Sequence, residues 1–229
     1  MTKELCFVHV PKTAGVSWIS GLLAGIGPVD TIVKELSRFT VRPLRRPGLL
    51  ITVLGHERRV PGFMTLDQYL QHTRHDCYAI AFVRNPFDRL VSSFHYLVGG
   101  GINRLDQVDR ERFVRRYGGS FNAFVHGALS GDPPDAFAQI HLRPQREWLV
   151  DDDGRLLAHF VGRYERIVED TMAVTSMFDL GAAPIPHLNA TEHRPYWEHY
   201  AAASWNIVAR AYRRDFETFA YDPAERSKS

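Results

Sequence analysis

Two segments of the chain combine residue types that bind phosphate or sulfate groups. Residues 10–17 follow an apolar run and supply Lys12, two hydroxyls and small residues that let backbone N–H groups approach an anion. In the second segment, Arg84 follows another apolar run and Ser92 lies on the predicted helix after it. A guanidinium holds phosphate through two parallel hydrogen bonds, and a helical serine adds a further donor. Together the segments predict one ligand that carries anionic groups at two ends.

The order of residues in the first segment argues against a common class of nucleotide-binding protein. The nucleoside-triphosphate loop needs its lysine after the glycines, whereas Lys12 precedes Gly15. The third predicted strand is followed by Arg84 rather than by an acidic residue that would hold Mg²⁺. A P-loop-type nucleotide kinase remains as one alternative. A non-catalytic module that binds an anionic polymer through its arginines is the other.

Strands alternate with helices along the chain, which predicts an α/β fold with a mostly parallel central sheet flanked by helices. The predicted strands are 4–10, 49–53, 78–83 and 156–164. The predicted helices are about 15–25, 65–73, 86–98, 106–117, 120–129, 165–180 and 196–217. The predicted loops are 38–48 and 183–191. We expect a single domain over residues 1–229. Ligands of such sheets bind at the carboxyl ends of the strands, where both segments and His56 fall.

Composition places the chain among ordinary globular proteins. It has 229 residues, 45% of them hydrophobic, and a formal net charge of +2, which is too small to indicate a nucleic-acid partner. The first apolar run ends at Pro11 and is too short for a membrane span. Buried, reduced thiols are expected at Cys6 and Cys77, so we expect a cytoplasmic protein. The histidines are not accompanied by other metal-ligating residues at the spacing of a metal site, and no metal is expected.

The two segments resemble the donor-binding motifs of sulfotransferases that use 3′-phosphoadenosine 5′-phosphosulfate (PAPS). Residues 10–17 look like the 5′-phosphosulfate loop, and Arg84 with Ser92 matches the 3′-phosphate motif. The Pro-Lys-Thr-Ala-Gly form resembles the carbohydrate-type enzymes, including the heparan sulfate 2-O-sulfotransferase branch. The resemblance covers nearly the whole chain in order. It implies a P-loop-like sulfotransferase fold, PAPS as the donor, and 3′-phosphoadenosine 5′-phosphate (PAP) as a product.

The resemblance also implies roles for individual residues. The donor-binding residues would be Lys12, Thr13, Ala14, Gly15, Val16, Ser17, Arg84 and Ser92, joined by Tyr164 at the adenine and by Asn189 and Thr191 over the 3′-phosphate. Relatives commonly have threonine where Val16 stands. Lys12 would also act in catalysis, by stabilising the sulfuryl oxygens and the departing phosphate.

The general base that the resemblance implies is His56, within Gly55-His56. The 2-O-sulfotransferase branch has a second histidine where this chain has Leu54. His141 is the reserve candidate for the base, or else it positions the acceptor together with Arg143. That acceptor would be a hydroxyl of a carbohydrate or of a small molecule, and the motifs do not choose between them.

Replacing His56 with alanine tests the predicted base. A general base typically contributes about 10²–10⁴-fold in rate, so we expect turnover to fall by about that factor. The affinity for PAP, measured by calorimetry, should stay nearly unchanged because His56 would act on the acceptor hydroxyl and not on PAP. Near-normal turnover in the variant would overturn the assignment.

Overall fold

The computed structural model describes residues 3–15, 17–18, 21, 43–46, 49–54, 65–72, 77–99, 104–113, 115–180 and 194–226. These residues form two compact units, Met1–Val83 with Gln145–Ala190 and Arg84–Pro144 with Thr191–Ser229. The prediction of a single domain over the whole chain stays a prediction.

A five-stranded sheet in the order β2-β3-β1-β4-β5 forms the centre of the first unit. Its strands are β1 (Lys3–Val8), β2 (Pro43–Arg46), β3 (Leu49–Leu54), β4 (Tyr78–Val83) and β5 (Phe160–Arg163). The inner strand β1 pairs in parallel with β3 and β4, and β4 pairs in parallel with β5. Only β2 is antiparallel, at one edge. The predicted α/β class with a mostly parallel sheet is confirmed.

The described helices occur in both units. In the first unit they are α1 (Leu66–His72) and α5 (Ile167–Met177), and in the second they are α2 (Pro86–Val98), α3 (Arg104–Phe113), α4 (Phe121–Leu129), α6 (Ala202–Ala211) and α7 (Arg213–Phe219). A reciprocal pair of hydrogen bonds between Thr65 and Gln68 starts α1, as in a capping box. The predicted starts of α1 and α2 agree with the structure to within one residue.

The last four residues of β1 and almost all of β4 are apolar and buried, as is typical of inner strands with both faces covered. Phe7 of β1 stacks on Trp18 with ring centroids 4.5 Å apart, and Phe82 of β4 lies 5.6 Å from Trp18. These three rings belong to the core of the first unit. They fix the end of β1, from which the first anion-binding segment begins.

The core of the second unit forms around Phe87, in the first turn of α2. Its ring stacks on Trp205 of α6 at 3.7 Å and lies 5.0 Å from Phe216 of α7. The hydroxyl of Tyr212, between α6 and α7, donates to the carbonyl of Leu142 at 2.6 Å. Long-range contacts of this kind hold the N-terminus of α2 in place.

Two predicted elements differ from the structure. Part of the predicted loop 38–48 is the edge strand β2, because an edge strand tolerates a proline at its first residue, here Pro43. The predicted helix 196–217 is a short 3₁₀ turn at Tyr196–His199 followed by α6 and α7. The predicted loop 183–191 lies outside the described residues.

His159 completes the pairing of β4 just before β5 begins, and we expect its replacement to destabilise the first unit. Its backbone N–H donates to the carbonyl of Ala79 at 2.8 Å, and its Nδ1 accepts from the Ala79 N–H at 3.0 Å. Because Ala79 is fully buried, His159→Ala leaves that N–H without its acceptor and should cost about 1–3 kcal/mol of unfolding free energy.

The matched variant His159→Asn offers an amide oxygen close to the position of Nδ1 and should recover part of this loss. Replacing the exposed His126 with alanine serves as the control and should change stability by less than about 0.5 kcal/mol. Chemical denaturation measures all three variants. Equal stabilities of His159→Ala and the wild type would contradict the assigned role.

Candidate functional site

The loop after β1 has an unusual backbone. Lys12 and Ala14, on either side of Thr13, have φ values of 70° and 60°, in the left-handed region that non-glycine residues rarely adopt. Each such residue costs on the order of 1–2 kcal/mol. Thr13 is 0% exposed, and its Oγ1 donates to the carbonyl of Val10 at 2.9 Å. The threonine hydroxyl, predicted as a ligand donor, therefore uses its proton to hold the loop in shape.

A helix begins directly after this loop. The N–H of Trp18 donates to the carbonyl of Ala14 at 2.9 Å, which closes the first turn. The N–H groups of the first turn of a helix, here including those of Gly15 and Ser17, have no intrahelical acceptor and favour an anion. The loop thus brings together the predicted residues Lys12, Thr13, Ala14, Gly15 and Ser17.

A histidine that the sequence analysis did not select lies beside this loop. The ring of His9 is nearly parallel to that of Phe7, with centroids 6.3 Å apart. A Cβ atom built on Gly15 would lie only 2.2 Å from Cδ2 of His9. The sequence offered one signal for His9, its position just before the loop. Its contact with Gly15 was not visible there, because that contact forms only when the loop folds.

In the second unit, Arg84 lies just before α2, while Asp88 and Ser92 lie four residues apart on one face of that helix. Arg84 is 8% exposed, and its Nε forms an ion pair with Oδ2 of Asp88 at 2.8 Å. Ser92 is half-buried on the same helix. Of the two predicted 3′-phosphate ligands, Arg84 thus precedes α2 and pairs with its first turn, and Ser92 lies on its second turn.

The neighbouring serine has a different role. Ser93 is fully buried, and its Oγ lies 2.9 Å from the carbonyl oxygen of Arg89 and 2.8 Å from that of His141. This hydroxyl joins α2 to the segment that carries His141. Of the two adjacent serines, Ser92 is therefore the one whose position suits a ligand.

The start of α2 is held by polar contacts within the second unit. Asn85 caps the helix by accepting from the N–H of Phe87 at 3.0 Å, and its Nδ2 lies 3.4 Å from the hydroxyl of Tyr196. The hydroxyl of Tyr200 donates to the carbonyl of Phe87 at 2.8 Å. Burial raises the pKa of Tyr200 well above its usual value, so the phenol stays protonated as a donor.

Arg89 lies on α2 itself, and it is 2% exposed. Desolvation lowers the pKa of its guanidinium, while Tyr212 and the fully buried Asp215 oppose that shift. Arg89 is thus a buried cation whose charge is stabilised by acidic groups of the protein. Arg84, which precedes the helix, stays the predicted ligand of the 3′-phosphate.

His141 is 6% exposed and is held from several directions. Its backbone N–H donates to Oε1 of Gln139 at 2.5 Å, and its ring centroid lies 4.6 Å from that of Tyr96. Arg143 is half-buried nearby, and its N–H donates to the carbonyl of Gln139. These contacts place both predicted acceptor residues on one short turn of the second unit.

The remaining predicted residues are distributed as follows. Tyr164 is half-buried in the first unit, in a 3₁₀ turn directly after β5. The other four, Val16, His56, Asn189 and Thr191, lie outside the described residues. Among the residues that the structure does describe, no group of three or more histidine, cysteine or acidic side chains is arranged to hold a metal ion. The helices in that part of the chain are too short or too polar to cross a membrane.

Comparison with known proteins gives the class of this chain. The sequence model of the sulfotransferase family matches residues 1–222, which include both anion-binding segments. The chain therefore belongs to the sulfotransferase family. This membership confirms the predicted family and the predicted enzyme class, a PAPS-dependent sulfotransferase.

Among solved structures, the chain is similar to mouse sulfotransferase SULT7A1, crystallised in complex with PAP. The two sequences are 16% identical, and the match covers 98% of this chain and 85% of the mouse chain with a TM-score of 0.37. No curated protein matches the sequence significantly.

Replacing Asp215 with asparagine tests the structural role of Arg89. The change leaves a buried guanidinium without its opposite charge and should lower the unfolding free energy by about 3–5 kcal/mol. Glu217→Gln is the matched control on the same helix, since Glu217 pairs with Arg213 at 2.9 Å in an exposed position. That exposed pair should contribute less than about 1 kcal/mol. Equal losses of stability in the two variants, measured by denaturant titration, would show that Arg89 does not depend on Asp215.

Proposed function

We propose that the chain transfers the sulfuryl group of PAPS to a hydroxyl of a carbohydrate or small-molecule acceptor, giving PAP and a sulfate ester. The observation that carries this proposal is the loop after β1, in which Lys12 and Ala14 adopt left-handed backbone conformations around a buried Thr13. Strained residues of this kind cluster at ligand sites, where the strain contributes to a prearranged geometry. A lysine in such a loop, next to the start of a helix, suits the sulfated end of the donor.

The described residues fit the charge pattern of PAPS. The loop residues Lys12–Ser17, with Val16 among them, would bind the 5′-phosphosulfate. Arg84, just before α2, and Ser92, on that helix, would bind the 3′-phosphate. A guanidinium has five N–H donors, so the bond from Arg84 to Asp88 is compatible with phosphate binding. Tyr164 would contact the adenine, and Asn189 and Thr191 would close over the 3′-phosphate.

Each catalytic residue would have a separate task. Bound PAPS would supply an activated sulfuryl group with PAP as its leaving group. Lys12 and the loop N–H groups would stabilise charge on the sulfuryl oxygens and on the phosphate oxygen whose bond to sulfur breaks. His56 would accept the proton of the acceptor hydroxyl as its oxygen bonds to sulfur. His141 and Arg143 would hold the acceptor, with His141 as the alternative base.

We further propose that the chain functions as one domain, 1–229, in the cytoplasm. The buried thiols of Cys6 and Cys77 support this location, because reduced cysteines are typical of that compartment. The sugar or small-molecule character of the acceptor rests on the resemblance of the first loop to the carbohydrate-type enzymes.

Calorimetry with PAP and with adenosine 5′-monophosphate (AMP), which lacks the 3′-phosphate, tests the donor site. The wild type should bind PAP more tightly than AMP because Arg84 contacts the 3′-phosphate. Arg84→Ala should weaken PAP binding by about 10- to 100-fold, the loss expected for a charge-assisted hydrogen bond, and leave AMP binding unchanged.

Arg213→Ala, at an exposed arginine of the same unit, is the control and should leave both affinities unchanged. Equal weakening of PAP and AMP by Arg84→Ala would contradict the 3′-phosphate assignment. Tight Mg²⁺-dependent binding of ATP by the wild type, with no affinity for PAP, would instead favour the nucleotide-kinase alternative. Salt-sensitive binding of heparin-like chains without PAP affinity would favour the anion-binding module.

A further inference from the structure

The contact between His9 and Gly15 suggests an explanation for the glycine that does not involve the ligand. Glycines in phosphate loops usually serve to let the backbone approach the phosphate or to adopt a positive φ. Gly15 is helical, with a φ outside the left-handed region, so an alanine would fit its backbone conformation. What an alanine would meet instead is the imidazole of His9, with Cδ2 at 2.2 Å and Nε2 at 2.8 Å from the added Cβ.

The ring of His9 is constrained by its neighbours. Its plane is inclined by 18° to that of Phe7, whose centroid is 6.3 Å away, and Phe7 is itself stacked on Trp18 at an angle of 25°. Phe7 and Trp18 are both almost completely buried. A shift of the imidazole away from Gly15 would therefore disturb a stack that joins β1 to the first turn of the following helix.

This stack supports a segment that is strained in its own backbone. The hydrogen bond from Thr13 to Val10 holds the middle of the loop, and the bond from Trp18 to Ala14 closes the first helical turn. Gly15 lies between these two fixed points, directly against the imidazole. A contact at that position sets where the first-turn N–H groups lie relative to Lys12.

We infer that His9 is a positioning residue for the anion-binding loop: its ring supports the backbone of Gly15, and the absence of a side chain at position 15 is required by His9 rather than by the ligand. This inference deepens the proposed function, because the affinity that it concerns is the one for the 5′ end of PAPS. It predicts that the two positions are coupled and that the effect of a side chain at position 15 depends on the residue at position 9.

A double-mutant cycle tests this coupling, with the dissociation constant of PAP from calorimetry and the melting temperature without ligand as readouts. Gly15→Ala should weaken PAP binding by about tenfold or more, because the new methyl group displaces the loop. His9→Ala should weaken it by a few-fold through loss of support. The double variant His9→Ala/Gly15→Ala should bind PAP about as well as His9→Ala alone.

Gly127→Ala is the matched control, since its added Cβ would lie 2.0 Å from Cε1 of Tyr117, within the second unit. It should lower the melting temperature and leave PAP affinity unchanged, which separates a structural clash from a loss of positioning. The inference is overturned if the double variant binds PAP as weakly as Gly15→Ala, or if His9→Ala binds PAP like the wild type.

Failure of the proposed function would look different. In that case the wild type itself would not bind PAP, and the melting temperatures alone would decide the coupling. Non-additive changes in melting temperature would then support the His9–Gly15 contact without a role in donor binding. Additive changes would contradict the coupling between the two residues as well.

Discussion

The conformation of the loop after β1 is the constraint on which the account of this protein depends. The hydroxyl of Thr13 donates to the carbonyl of Val10, and Thr13 lies between two residues with left-handed backbones, Lys12 and Ala14. The loop leaves a strand that is paired on both sides, so its starting point is fixed by the sheet. Its end is fixed by the first helical turn, at Ala14 and Trp18. Local strain is thus offset by long-range order, as is common where a backbone must bind an anion.

A second constraint separates two arginines, one just before α2 and one on it, that look alike in the sequence. Arg89 is enclosed with Asp215 and Tyr212, so its charge is balanced inside the protein. Arg84 precedes the helix and pairs with Asp88 of its first turn, and Ser92 lies one turn beyond Asp88. The same residue type is therefore enclosed in the packing at one position, while at the other it follows β4 directly, where we propose that the 3′-phosphate binds.

The fold was predictable where local signals were strong. The run of apolar residues at 78–83 and the Asn85-Pro86 helix start gave β4 and α2 because burial and capping act through neighbours in the chain. The edge strand β2 was not predictable in this way, since an arginine- and proline-rich sequence becomes a strand only through its partner β3. Likewise the break between α6 and α7 occurs at Tyr212, whose hydroxyl is bound to the distant Leu142.

The candidate site shows the same division. Lys12, Arg84 and Ser92 could be chosen from the sequence because their side chains and spacing match a donor-binding pattern, and their roles stay predictions. The structural uses of Thr13, Ser93 and His9 were not, because each depends on a contact made across a turn or between segments. Candidate ligand residues are thus easier to recognise in a sequence than the residues that hold them.

Transfer of sulfur from PAPS labelled with ³⁵S to a panel of hydroxyl acceptors is the most direct test of the central claim. The account predicts that PAP and a labelled sulfate ester form in equal amounts, that their formation needs the acceptor, and that Lys12→Ala reduces it strongly. Absence of labelled ester with every sugar and small-molecule acceptor, from a folded protein that binds PAP, would contradict the claim that this chain is an active sulfotransferase for such acceptors.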